Sequence, residues 1–163
     1  MYRTMNDFVI EEVSDLDAVW PELRELFLEL LAYHEPWQSR RLRGDWEQRW
    51  RDYVTLGDDR LILIARVGDN AVAYLNAGVR RDYGIFEELT GFIDDAFVRA
   101  DVRHRGIGSA MLSRAEDWFR ARGATEARLQ AVAANDLGVR FWSNAGFIVD
   151  NYRMSKPLVE PEA

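Results

Sequence analysis

The segment that most restricts the fold runs from Gly91 to Gly123. Gly91 to Val98 alternates as a strand does, and the charged stretch Arg99 to Arg105 follows it. Gly106 then opens a helix in which Ile107, Met111, Ala115, Trp118 and Arg122 keep helical spacing, with Gly123 at the C-cap position. A strand that passes through Arg103-His104-Arg105-Gly106-Ile107-Gly108 into an amphipathic helix requires a layered α/β domain. The turn is also an anion cradle. Glycines let a ligand approach the backbone, and the first amides of a helix are unpaired donors at the positive end of its dipole.

The flanking sequence supplies the other layers. Phe8 to Val13 reads as a strand, and Ser14 and Asp15 as helix caps. Leu16, Val19, Leu23, Leu26, Phe27, Leu30 and Leu31 form one apolar stripe up to Tyr33, with Pro21 tolerable near the first turn and Pro36 as the stop. Trp46, Trp50, Tyr53 and Val54 mark a second helix closed by Gly57. Leu61 to Val67 and Ala71 to Val79 pair across the Gly68-Asp69-Asn70 turn. Ala127 to Val132 is a short strand, Asn135 caps a helix to Ala145, and Phe147 to Val149 with Tyr152 to Ser155 suggests a closing hairpin. The order predicts an α/β fold with a mixed sheet flanked by helices. The 163 residues make one domain, 1–163, the simplest reading.

Composition removes several classes of chemistry. The absence of cysteine excludes disulfides, thiolate metal sites and cysteine nucleophiles, and with only His34 and His104 no metal site is expected. The one lysine, Lys156, does not follow a P-loop glycine, and no Gly-x-Ser-x-Gly turn exists. A net charge of −7 argues against nucleic acid as a partner. No apolar run approaches the roughly 20 residues of a membrane span, and the N-terminus does not read as a secretory signal, so no membrane partner and a cytoplasmic location are expected. Residues 1–35 carry nine acids against two arginines, whereas Arg99 to Arg128 holds seven arginines against four acids. That division points to a cationic ligand on one side and an anionic one on the other.

A dinucleotide fingerprint would place a third glycine at Met111, so the Rossmann reading is poor. Strand, Arg-x-x-Gly-x-Gly, then helix instead resembles the acyl-CoA-binding segment of the GNAT superfamily of N-acetyltransferases, as does the approach from Ala96 to Asp101. Asn135 to Phe147, NDLGVRFWSNAGF, is similar to the superfamily's later motif, an Asn before a helix ending in Phe-Tyr-x-x-x-Gly-Phe. The resemblance covers about residues 8–158. It implies a mostly antiparallel GNAT-like sheet with a splayed central strand pair. Trp142 stands where the family often has a Tyr that returns a proton to the leaving thiolate, and an indole does not do that work.

The resemblance implies acetyl-CoA as acyl donor and direct transfer to a primary amine in a ternary complex. It places Ala96 and Val98 beside the pantetheine and thioester, with the Val98 amide as oxyanion donor, and the diphosphate on Arg103, His104, Arg105, Gly106, Ile107, Gly108 and Ser109. Asn135 and Phe141 complete the cofactor contacts. Unbroken alternation along the strand puts Phe92, Asp94, Ala96 and Val98 on one face and Ile93, Asp95 and Phe97 on the other, making Asp94 the candidate base or water-orienting residue and Asp95 a structural one. Glu88 and Glu35 are secondary candidates, and Tyr83 lies in a loop that would cover the acceptor. The acceptor is a small-molecule amine, cationic if the acidic N-terminal bias lines its pocket, or a protein amine. A homodimer is compatible with the family's habit. The alternative is a non-catalytic acyl-CoA-binding module or sensor of the same fold, favoured by Trp142.

Overall fold

The structure is a computed structural model that describes residues 7–38, 41–55, 57–81, 84–156 and 158. Tyr83 and the tail beyond residue 158 lie outside the described residues. Residues 1–130 and 131–163 form two compact units.

The first unit contains β1 (Val9–Glu12), α1 (Leu16–His34), α2 (Trp46–Tyr53), β2 (Arg60–Val67), β3 (Asn70–Arg81), β4 (Leu89–Val98), a 3-10 turn (Ala100–Val102), α3 (Ile107–Ala121) and β5 (Glu126–Leu129). The five strands lie in sequence order across one sheet. β1 to β4 are antiparallel neighbours, and β5 joins β4 in parallel. This is the mixed, mostly antiparallel sheet that the sequence predicts.

α1 begins at Asp15, whose Oδ1 accepts from the amides of Asp17 at 3.0 Å and Ala18 at 3.2 Å. Pro21 lies in the second turn and removes one backbone hydrogen bond, yet the helix continues to His34. Its buried face explains why: Trp20, Leu23, Leu26 and Leu30 pack with Trp50, Val54, Ile62, Ile64, Tyr74 and Phe97 on one side of the sheet. Phe27 stacks on Trp50 with ring centroids 3.9 Å apart, fixing α2 against α1. Salt bridges extend this anchorage. Arg66 binds Glu22 and Glu11, and Arg99 takes Glu29 with both Nε and Nη2, adding Glu25 and the Ala71 carbonyl.

α3 covers the other side of the sheet with Ile107, Met111, Leu112, Ala115, Trp118 and Phe119. Gly91 makes this possible, because a Cβ there would lie 2.5 Å from the Phe119 ring. The second unit contains α4 (Asp136–Asn144). The expected hairpin over Phe147–Val149 and Tyr152–Ser155 does not form: residues 147–156 make no ladder. An alternating pattern becomes a strand only against a partner edge, and Ile148, Val149, Tyr152 and Met154 are instead exposed.

Gly91→Ala drives a methyl group into Phe119 and is expected to cost about 1–3 kcal/mol by overpacking. Thermal unfolding checks this, with Phe119→Leu in the same chain recovering part of the loss; an unchanged Tm in Gly91→Ala removes the close approach as a constraint.

Candidate active site

β4 carries one residue more than β3 can pair. Asn76 faces Asp95 and Ala77 faces Ile93, which leaves Asp94 as the extra residue of a β-bulge. The bulge resets the alternation. Ala96 pairs with Leu75 and Val98 with Ala73, so they share a face with Ile93 and Gly91 on the α3 side. Asp95 pairs with Asn76 and Phe97 with Tyr74, so they lie on the α1 and α2 side. This corrects the expectation of unbroken alternation. Asp94 and Asp95 both reach the α1 and α2 side, because the two residues of a bulge oppose a single partner.

The bulge also marks where β4 leaves β5. The parallel ladder runs only from Thr90 with Glu126 to Ile93 with Leu129. From Asp94 onward that edge of β4 has no strand partner among the described residues, which is the splay the sequence reading expects. The Arg99 amide donates to Val72 O at 3.0 Å, so the odd-numbered residues 95–99 turn their amides toward β3. The amides of Ala96 and Val98 therefore point into the gap.

The turn after β4 is shaped as an anion cradle. His104 and Gly106 both have left-handed backbone, with φ of 62° and 84°. The Ala110 amide donates to Gly106 O at 3.0 Å, so the amides of Ile107, Gly108 and Ser109 precede the first intrahelical bond of α3. No side chain caps them. Arg103 departs from its expected place: its Nε donates to Val98 O at 2.9 Å and its guanidinium lies 4.8 Å over the Tyr33 ring. Its charge braces the end of β4. Arg105 and His104 are exposed beside the cradle.

On the α1 and α2 side the two carboxylates have different surroundings. Asp94 is 12% exposed and accepts from Arg60 Nη1 at 3.0 Å and Arg80 Nη1 at 3.3 Å. Asp95 accepts from Asn76 Nδ2 at 3.2 Å, and Asn76 Oδ1 accepts from Arg60 Nη2 at 2.7 Å. Asp95 is largely buried, and burial raises its pKa, with the Asp94 charge adding to the rise and Asn76 opposing it. The Trp50 indole is close enough to favour the ionised form, but its Nε1 completes no hydrogen bond of normal geometry. The Tyr74 hydroxyl and Arg60 Nε are likewise buried without a partner. A carboxylate with raised proton affinity beside buried, unpartnered polar groups is a candidate for handling protons or polar ligands.

The sequence reading named Asp94, Ala96, Val98 and the cradle, and the fold brings these into one region of the first unit. It missed Asn76, Arg60 and Arg80, which come from the β2–β3 hairpin. The doubled acid in mid-strand was the available signal for a bulge. Asn135 and Phe141 belong to the second unit. There Asn135 Oδ1 caps α4 by accepting from the Gly138 amide at 3.1 Å, and Phe141 packs edge-on against Trp142. Glu35 and Glu88 are exposed.

The acidic bias of residues 1–35 has a structural use. Asp17 pairs with Arg51, Glu11 and Glu22 with Arg66, and Glu25 and Glu29 with Arg99. These ion pairs tie α1 to α2 and to the sheet, and β1 to β2, so five of the nine acids are engaged within the fold. Among the described residues no group of three or more acidic, histidine or cysteine side chains is placed to hold a metal, and no helix is long and apolar enough to cross a membrane.

Comparison with known proteins agrees with this geometry. Residues 20–147 match the Acetyltransferase (GNAT) family. A search of curated proteins finds no match. Among solved structures, the aminoglycoside N-acetyltransferase AAC(6')-Iy in complex with CoA is 17% identical at TM-score 0.74, over 93% of this chain and 95% of its own. An aminoglycoside acetyltransferase from an uncultured soil metagenomic sample, in complex with sisomicin, is 18% identical at TM-score 0.68, over 93% and 98%. A transcriptional regulator from Bacillus halodurans C-125 is 14% identical at TM-score 0.73, over 93% and 99%. With the family matched over most of its length and the splayed strand, amide cradle and recessed carboxylate in place, the chain belongs to the GNAT family of acetyltransferases.

Proposed function

We propose that residues 8–158 act as one N-acetyltransferase domain that moves an acetyl group from acetyl-CoA directly to a primary amine. The observation that carries the reading is the bulge at Asp94, which puts carboxylates on one side of β4 and frees the amides of Ala96 and Val98 where β4 leaves β5. The amides of Ile107, Gly108 and Ser109, with Gly106, His104 and Arg105 around them, suit the diphosphate of acetyl-CoA. Asn135 and Phe141 carry over from the family's motif as further cofactor contacts. The Val98 amide receives the developing oxyanion, a role worth about 2.7–4 kcal/mol in other acyl-transfer enzymes.

The acceptor enters as an ammonium, since a free primary amine has a pKa near 10.4. Asp95 takes the proton, directly or through a water held at Asp94, and the amine nitrogen then attacks the thioester carbon. As the C–S bond breaks and the electron pair leaves on the CoA sulfur, the nitrogen of the adduct gives up its second proton to water and the neutral amide forms. A thiolate with pKa near 8.5 departs without an obligatory acid, so Trp142 is compatible with turnover. Asp95 returns its proton to solvent. Asp94, held by Arg60 and Arg80, has a positioning role.

Free thiol release from acetyl-CoA over a panel of amines tests the reading, and the chain has no cysteine to obscure it. Amine-dependent release supports the transferase. Acetyl-CoA binding with no release from any amine favours the non-catalytic acyl-CoA module that Trp142 suggests.

Asp95→Asn is expected to lower kcat at neutral pH by about 10²–10⁴-fold and to remove the acid limb of the pH–rate profile. Its stability moves the other way. Because the folded pKa of Asp95 is raised, its favourable contribution is present below the ordinary carboxylate pKa and is lost as pH rises through the raised value. The Asn variant should therefore melt at or above the wild type at pH 7–8 and converge with it in acid. A retained acid limb takes Asp95 out of proton transfer. Arg103→Ala is expected to reduce kcat about tenfold with a smaller change in CoA affinity, because it loosens the end of β4. Lost affinity with kcat intact would return Arg103 to the phosphates.

A further inference from the structure

We infer that the acceptor is an amino carboxylate, a primary amine with a carboxylate a few bonds away, and that Arg80 is the residue that selects it. The inference rests on the transferase reading and narrows its acceptor.

The charges around the bulge form two opposed pairs. Asp94 and Asp95 are the carboxylates, and Arg60 and Arg80 the guanidiniums that reach Asp94. The two arginines are held differently. Arg60 is 14% exposed, binds Asp94 and Asn76, and lies 5.1 Å over the Tyr53 ring, so it belongs to the wall. Arg80 is 47% exposed, and its ion pair with Asp94 is long at 3.3 Å. Its guanidinium lies 3.6 Å over the Phe92 ring. Stacking holds a guanidinium by its face and leaves its N–H edge for a planar anion, the geometry in which arginine recognises carboxylates bidentately. Tyr53, half exposed and under Arg60, has its pKa raised by burial, by the Asp94 charge and by a hydrogen bond with Asp94, so its hydroxyl is a neutral donor to that carboxylate.

A ligand that presents an ammonium to Asp95 therefore meets a guanidinium next. For a polyamine or aminoglycoside the second ammonium would face Arg80 and Arg60, and like charges at this range are destabilising. For an amino carboxylate both ends are matched. The acids of α1 do not alter this balance, because Glu22, Glu25 and Glu29 are committed to Arg66 and Arg99.

The test compares amino acids of increasing amine-to-carboxylate separation with their own carboxamides, a polyamine and an aminoglycoside. Thiol release is read in wild type, Arg80→Gln and Arg80→Lys, and calorimetric binding to the CoA-loaded protein is measured in parallel. The best amino acid is expected to exceed its carboxamide by about 10–100-fold in kcat/KM. That ratio should collapse toward one in Arg80→Gln, mainly through KM, and be partly kept in Arg80→Lys. Equal or better use of carboxamides or polycations, or a loss in Arg80→Gln that falls alike on acid and amide, overturns the inference. If no amine releases thiol, the transferase reading fails separately: an amino acid that binds wild type but not Arg80→Gln still upholds the selectivity, and absence of binding overturns it too.

Discussion

The site depends on one surplus residue. β3 and β4 run in register from Ala73 with Val98 to Asn76 with Asp95, and again from Ala77 with Ile93, so Asp94 has no partner of its own. A bulge costs a ladder bond and increases local twist. Here the twist coincides with the point where β5 stops following β4, and the same step turns two consecutive acids to one side of the sheet. Without the insertion, Asp94 or Asp95 would face α3, where Ile93, Gly91 and Phe119 pack. A carboxylate there would need a partner that an apolar layer does not supply.

Arginine does much of the remaining work, in three distinct ways. Arg66 and Arg99 are struts that fix α1 to the sheet, and their partners are four of the nine acids in residues 1–35. Arg103 is a brace across the end of β4, joining Val98 O to the Tyr33 ring. Arg60 and Arg80 converge on Asp94. Charge counted along the chain does not separate these uses.

Most of the fold was legible because its signals are local. The α1 stripe, the Asp15 cap, the turn at Gly68-Asp69-Asn70 and the glycine turn into α3 all act within a few residues, and the elements form close to where spacing put them. The closing hairpin was the exception. Its alternation at Ile148, Val149, Tyr152 and Met154 is a strand pattern, but a strand depends on a partner edge that no local pattern encodes.

The site was legible only where it is made of backbone. Amides at Ala96 and Val98 and at the start of α3 follow from strand and helix geometry, so motif and spacing located them. The carboxylates required register. A period of two assigns Asp94 and Asp95 to opposite faces with no ambiguity, and a single inserted residue reverses that assignment for every position beyond it. The reversal is also the ground for proposing Asp95 as the proton acceptor. Asp94 spends its oxygens on Arg60 and Arg80, whereas Asp95 accepts from Asn76 and is buried enough to favour its protonated form. A base must hold its proton loosely enough to return it and firmly enough to take it, and of the two carboxylates Asp95 has the environment that meets both conditions.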